Sequence, residues 1–170
     1  HDQEEAVILA AKIAMIFEGE LQQFGPPVDF YERPLSERVA RFFGGVNFLS
    51  GEKKENDVTT KLGVFQTNSC PQDNGSVLLT IRPENVKILT EPAPNSFPAH
   101  VLSRMYVGTH TRLKILPTVA EPVEAEPVEA DPVEAEVIEI ITDASGIHTY
   151  KETQTVYVHF PPDKIWLLQS

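Results

Sequence analysis

The chain has 170 residues, enough for one ordinary domain or two small ones, and its 41% hydrophobic and 23% charged content fits a soluble globular protein. The net charge of −11 comes without a basic stripe, which argues against phosphate-backbone binding. The longest uncharged apolar run, Ala6 to Ala11, falls far short of the roughly 20 residues that span a bilayer, and no secretory signal is visible at the start.

Residues 3–11 read as a helix, with acidic side chains in the first turn and good helix formers behind them. Residues 12–17 and 20–24 flank Glu18-Gly19, a tight hairpin turn in which Gly supplies positive φ. Gly25-Pro26-Pro27 stops the second strand. A short helix over Val28–Glu32 follows and ends at Pro34. Ser36 is the N-cap of a second helix, where Val39, Phe42 and Phe43 share one face, and Gly44-Gly45 closes it.

From Val46 the pattern changes to strands, expected at 46–50, 58–66, 76–82, 85–90, 98–107, 110–116, 136–142 and 154–160. Turn clusters such as Pro71–Gly75 and Glu91–Ser96 separate them, and the set suggests a small sandwich or barrel. The fold class expected is α+β, a small helical and hairpin unit followed by a mainly antiparallel β domain, with the boundary near Gly44–Val46.

One repeat stands out. Glu121-Pro-Val-Glu-Ala, Glu126-Pro-Val-Glu-Ala and Asp131-Pro-Val-Glu-Ala follow one another, and residues 121–136 hold seven acidic side chains and no basic one. A Pro every fifth residue removes backbone donors, and like charges repel. The segment 121–135 therefore reads as an extended acidic loop between two strands.

Single residues suggest little chemistry by themselves. Cys70 is alone, which excludes an internal disulfide and a multi-Cys zinc site and suits a reducing cytosol. His100, His110, His148 and His159 lack metal-ligand spacing and read as half-buried or surface residues. His1, Glu4 and Glu5 have i, i+3, i+4 spacing, but exposed carboxylates at a frayed end make a poor metal site. Arg82 and Glu84 flank Pro83 at a strand corner, where they could pair locally or reach another domain.

The motifs taken together point further. His1-Asp2-Gln3-Glu4-Glu5-Ala6 before an apolar helix resembles the switch-histidine segment of ABC transporter ATPases. Ala11–Gly25 (AKIAMIFEGELQQFG) resembles that family's closing hairpin, and Pro27–Phe43 (PVDFYERPLSERVARFF) the helical end of the ATPase domain in importers. Val46-Asn47-Phe48-Leu49 is similar to the entry into the accessory β domain. Ile81-Arg82-Pro83-Glu84, with Val107-Gly108 and Thr111, resembles the transport-associated OB-like (TOBE) domain.

The resemblance implies the C-terminal portion of an ABC importer ATP-binding subunit of the polyamine, iron, sulfate or sugar type. Residues 1–45 would end the nucleotide-binding, P-loop ATPase domain, and 46–170 would form the TOBE β domain, which supports dimerisation and regulation. His1 would be the catalytic residue, contacting the γ-phosphate in the complete subunit, by positioning and electrostatics. The implied cofactors are ATP and Mg in that subunit, and none for this chain alone. The implied partners are a second copy of the ATPase subunit, membrane permease subunits and a small regulatory ligand at the β domain, with no nucleic acid. The implied location is cytoplasmic, peripheral on the inner face of the plasma membrane.

The sequence departs from the family by lacking a GxxxxGK[ST] loop, an LSGGQ-type signature and an apolar strand ending in an acidic pair. The first Met is Met15, and the chain reads as a piece of a longer protein that would be inactive alone. A free-standing OB-like module binding nucleic acid or a small ligand is the rival reading. Such a domain needs a positive groove and aromatic stacking platforms.

Overall fold

Glu18 and Gly19 both take positive φ, 52° and 82°, and this primed turn joins β1 (Ile13–Phe17) to β2 (Glu20–Gly25) as an antiparallel hairpin. The computed structural model describes residues 9–68, 74–118 and 137–169, so most of the helix expected over 3–11 and the whole acidic repeat lie outside the described residues. Two short helices follow, α1 (Pro27–Glu32) and α2 (Glu37–Phe42). Pro27 opens α1 at a position where its missing N–H costs nothing. Ser36 caps α2 as expected, its side chain accepting from the Val39 amide.

Gly44, at φ 81°, ends α2 in a Schellman closure: Gly45 N–H donates to Ala40 O at 2.8 Å and Gly44 N–H to Arg41 O at 3.1 Å. A Cβ on Gly45 would sit 2.8 Å from the Ala40 carbonyl oxygen, so the chain leaves the helix only with a glycine there. Phe30, Val39 and Phe43 form the small core of this helical unit, with Ile13 and Met15 of the hairpin against it.

The β domain has two five-stranded antiparallel sheets. The first orders β12 (Trp166–Gln169), β6 (Gly75–Ile81), β3 (Asn47–Lys54), β4 (Asp57–Thr60) and β5 (Gly63–Gln66). The second orders β10 (Ile138–Asp143), β9 (His110–Pro117), β8 (Ser96–Tyr106), β11 (Thr155–His159) and β7 (Lys87–Leu89). Their inward faces share one core containing Leu49, Val58, Leu79, Leu113, Ile140 and Val158. Phe65, Phe97 and Phe160 pack at its centre with ring centroids 5.2–6.0 Å apart. A one-turn helix, α3 (Gly146–Thr149), precedes β11. The mainly antiparallel β architecture agrees with the expectation.

Three local features differ from it. The strand expected over 58–66 is two strands, β4 and β5, paired Val58↔Phe65. An odd separation cannot place both side chains on one face of a single strand, so burying both requires the turn at Lys61-Leu62. β12 was not expected. Its Leu167 and Leu168 are both 1% exposed, which erases the alternation that marks a one-sided strand. α3 was also unexpected, as its four residues are too few to show a helical period.

Two asparagines stitch the sheets together. Asn47, on β3, donates from Nδ2 to Glu139 O and accepts the Glu139 N–H at Oδ1, both at 2.8 Å, which ties the first sheet to the β10 edge. Asn95, at φ 57°, does the same for the β5 edge, donating to Gln66 O at 2.7 Å and accepting Gln66 N–H at 2.8 Å. Each amide replaces a missing ladder partner, so these edge-strand groups are satisfied where the two sheets meet.

Candidate functional site: the seam at Arg82

Chain direction changes sharply after β6. Pro83 starts a single 3-10 turn, Pro83–Asn85, with Arg82 in extended backbone before it at φ −69° and ψ 140°. The Arg82 side chain turns back across the seam to the helical unit, where it is 8% exposed. Its Nε and Nη2 donate to Tyr31 O at 3.0 and 2.7 Å, and Nη1 donates to Phe43 O at 2.6 Å. One guanidinium thus binds a carbonyl from each helical segment, a task suited to its planar fork of donors.

The Tyr31 ring lies 4.0 Å from the Arg82 guanidinium carbon, and its hydroxyl donates to the Glu84 carboxylate. Arg82 and Glu84 therefore hold the same tyrosine at opposite ends. Burial pulls the Arg82 pKa below its ordinary value, against the Tyr31 and Glu84 charges that raise it. Tyr31 is pushed up from 10.0 to about 12, first by burial, then by its bond to Glu84 and that group's charge, with Arg82 opposing.

A cavity of about 420 Å³ opens beside this arrangement, lined by Tyr31, Arg33, Arg82, Glu84, Lys164 and Trp166 among others. Trp166 Nε1 donates across the seam to Pro34 O at 2.9 Å, and Arg41 stacks over Phe48 at 4.3 Å. Its volume lies within the range of small-molecule sites. Of the two possibilities left open for Arg82 and Glu84, the contact with another unit is the one observed.

The other singled-out residues do not converge. His1, Glu4, Glu5 and Cys70 lie outside the described residues. His159 Nδ1 is 3.0 Å from Pro94 O, His100 Nδ1 is 3.3 Å from Thr155 Oγ1, and His148 is exposed in α3. His110 Nε2 is buried without a hydrogen-bond partner among the described residues. Among those residues no group of three or more His, Cys, Asp or Glu could hold a metal ion. Sequence reasoning found the Arg-Pro-Glu corner but missed its partner Tyr31, because 51 residues separate them.

Comparison with known proteins agrees with this architecture. Residues 79–136 match the TOBE domain family. The spermidine/putrescine import ATP-binding protein PotA of Pseudomonas fluorescens is 37% identical over 120 residues, covering 65% of this chain and 33% of that protein. PotA 1 of Pseudomonas aeruginosa is 35% identical, over 68% of this chain and 33% of the relative. The PotA protein of Trichormus variabilis is 34% identical, over 65% and 32%. The chain thus carries a TOBE-type domain and is similar, over about two thirds of its length, to ATP-binding subunits of ABC importers.

It spans about a third of the length of these curated relatives. Among solved structures, a cytoplasmic molybdate-binding protein, ModG, with molybdate bound, superposes with a TM-score of 0.54 at 9% identity. That match covers 75% of this chain and 98% of ModG, and it supports the OB-like β architecture alone.

Proposed function

We propose that this chain is the regulatory end of a subunit that hydrolyses ATP to drive polyamine import. Residues 1–45 would complete its nucleotide-binding, P-loop ATPase domain, and 46–170 would form the attached β domain. The observation that carries this reading is the surface of the helical unit. Ten of the sixteen exposed large apolar side chains among the described residues lie between Leu9 and Val46, including Ile16, Leu21, Phe24 and Leu35 at 61–67% exposure. So dense a run of uncovered apolar residues suits a surface that another part of the protein covers. The relatives have room for such a part, since the matched stretch of 120 residues covers only 33% of the Pseudomonas fluorescens protein.

The residues of this chain do not themselves fit a nucleotide. The sequence has no phosphate-cradling loop and no acidic pair ending an apolar strand, so ATP and Mg would be held by other parts of the complete subunit. The role of this chain's His1 would be to reach a γ-phosphate oxygen there. Two such subunits would pair, dock beneath membrane permease subunits and work on the cytoplasmic face of the plasma membrane. A small regulatory ligand would occupy the cavity beside Tyr31 and Trp166, between the helical unit and the β domain. A free-standing nucleic-acid-binding module is disfavoured by the net charge of −11 and by the polyamine-importer relatives.

In a complete subunit containing this chain, His1→Ala should cut ATP turnover on the order of 10²-fold, as removal of a transition-state donor does, and leave nucleotide affinity nearly unchanged. Unchanged turnover would remove His1 from the role and weaken the assignment of residues 1–45.

A further inference from the structure

We propose that Arg82 is a positioning residue that makes the helical unit and strand β10 move together. The geometry gives two routes from one to the other. The Arg82 guanidinium holds Tyr31 O and Phe43 O, and the Pro83–Asn85 turn directly after it packs against β10. Asn47, two residues beyond the Gly45 that closes α2, bonds both backbone groups of Glu139 on β10. A rotation of the helices on the first sheet therefore pulls β10 at two points, through the Pro83–Asn85 turn and through Asn47.

The arrangement is poorly suited to giving way by degrees. Arg82 is buried, and its carbonyl partners come from two separate segments, so any slip breaks several charge-assisted bonds together. Glu84 holds the Tyr31 hydroxyl from the far side of Pro83, so the tyrosine cannot leave Arg82 without also leaving Glu84. The acidic segment 121–136 rejoins the described fold at Val137, next to β10, so the strand at the end of this linkage is also the one leading from that segment. The linkage rests on these contacts and is independent of the function proposed above.

Hydrogen exchange on the full 170-residue chain, without nucleotide, tests it. Arg82→Lys keeps the charge but cannot hold two carbonyls and stack on Tyr31 at once. It should lower amide protection in residues 27–45 and in β10 by about tenfold or more, with β3, β6 and β12 unchanged. Tyr31→Phe removes only the link to Glu84 and should give the same pattern with smaller amplitude, which keeps the test valid if Arg82→Lys folds poorly. Loosened helices with unaltered β10 protection would overturn the proposal. Equal loosening of every strand would also overturn it, since Arg82 would then be an ordinary core residue. Because no ATP is involved, either result is independent of whether the complete subunit is an importer ATPase.

Discussion

The β domain and the helical unit bury apolar surface on different scales. Among the described residues, nineteen buried hydrophobic side chains form one cluster in the β domain, whereas the cluster of the helical unit holds three, Phe30, Val39 and Phe43. The helical unit also leaves its hairpin largely uncovered, with Leu21 and Phe24 more than 60% exposed. A core that small cannot offset the entropy of ordering two helices and a hairpin unaided. The β domain is thus the anchor, and the helical unit is held to it by named polar contacts from Arg82, Glu84 and Trp166.

Core truncation sets the two regions furthest apart. Phe160→Ala opens a hole where Phe65 and Phe97 converge and should destabilise the β domain by about 3–5 kcal/mol in denaturant unfolding. Phe30→Ala should instead loosen residues 13–45 locally, leaving the main transition of the β domain in place. If both variants shifted that transition equally, the division into anchor and dependent unit would fail.

Asn47→Ala tests whether a side-chain amide closes the β domain. It leaves the half-buried Glu139 N–H and C=O without the amide of Asn47, itself 1% exposed, and should cost about 1–3 kcal/mol per group left without a partner. Asn47→Asp restores only the acceptor and should recover part of the loss in the same unfolding assay.

A smaller effect should appear at high pH. The Tyr31 pKa is raised from 10.0 to about 12, so the folded chain holds this proton more tightly than the unfolded chain. The resulting stabilisation is fully present below pH 10 and is lost as pH rises through about 12. Melting temperatures across that window should fall more steeply for the natural chain than for Tyr31→Phe. Parallel curves would show that the seam does not feel the phenol.

Deletion of Glu121–Ala135 should matter least. β9 and β10 are already paired from Ile115↔Ile138, so a short connection can join them, and loop entropy changes slowly with length. A near-identical melting temperature is expected. Loss of cooperative unfolding would show that the repeat packs on the β domain.

Much of the fold could be read in the residue pattern. The Glu18-Gly19 turn, the Ser36 cap, the Gly44-Gly45 closure and most strands lie close to where local chemistry puts them, because each depends on neighbours within a few residues. What escaped needed distant partners. β12 reads as featureless because Leu167 and Leu168 are both buried, and its Trp166 bonds to Pro34, 132 residues away. Arg82 and Glu84 were visible as a pair, but the tyrosine they hold was not.

The amino-acid order alone determined the alternation of β-forming and helical stretches, the turn chemistry and the acidic repeat, since these rest on φ preferences, side-chain periodicity and charge. Only the tertiary structure decided that a guanidinium would be buried between two helix ends, and that two asparagines would stand in for missing strands. Those choices require satisfying backbone groups that meet only after the chain has folded, and no local pattern encodes which groups those will be.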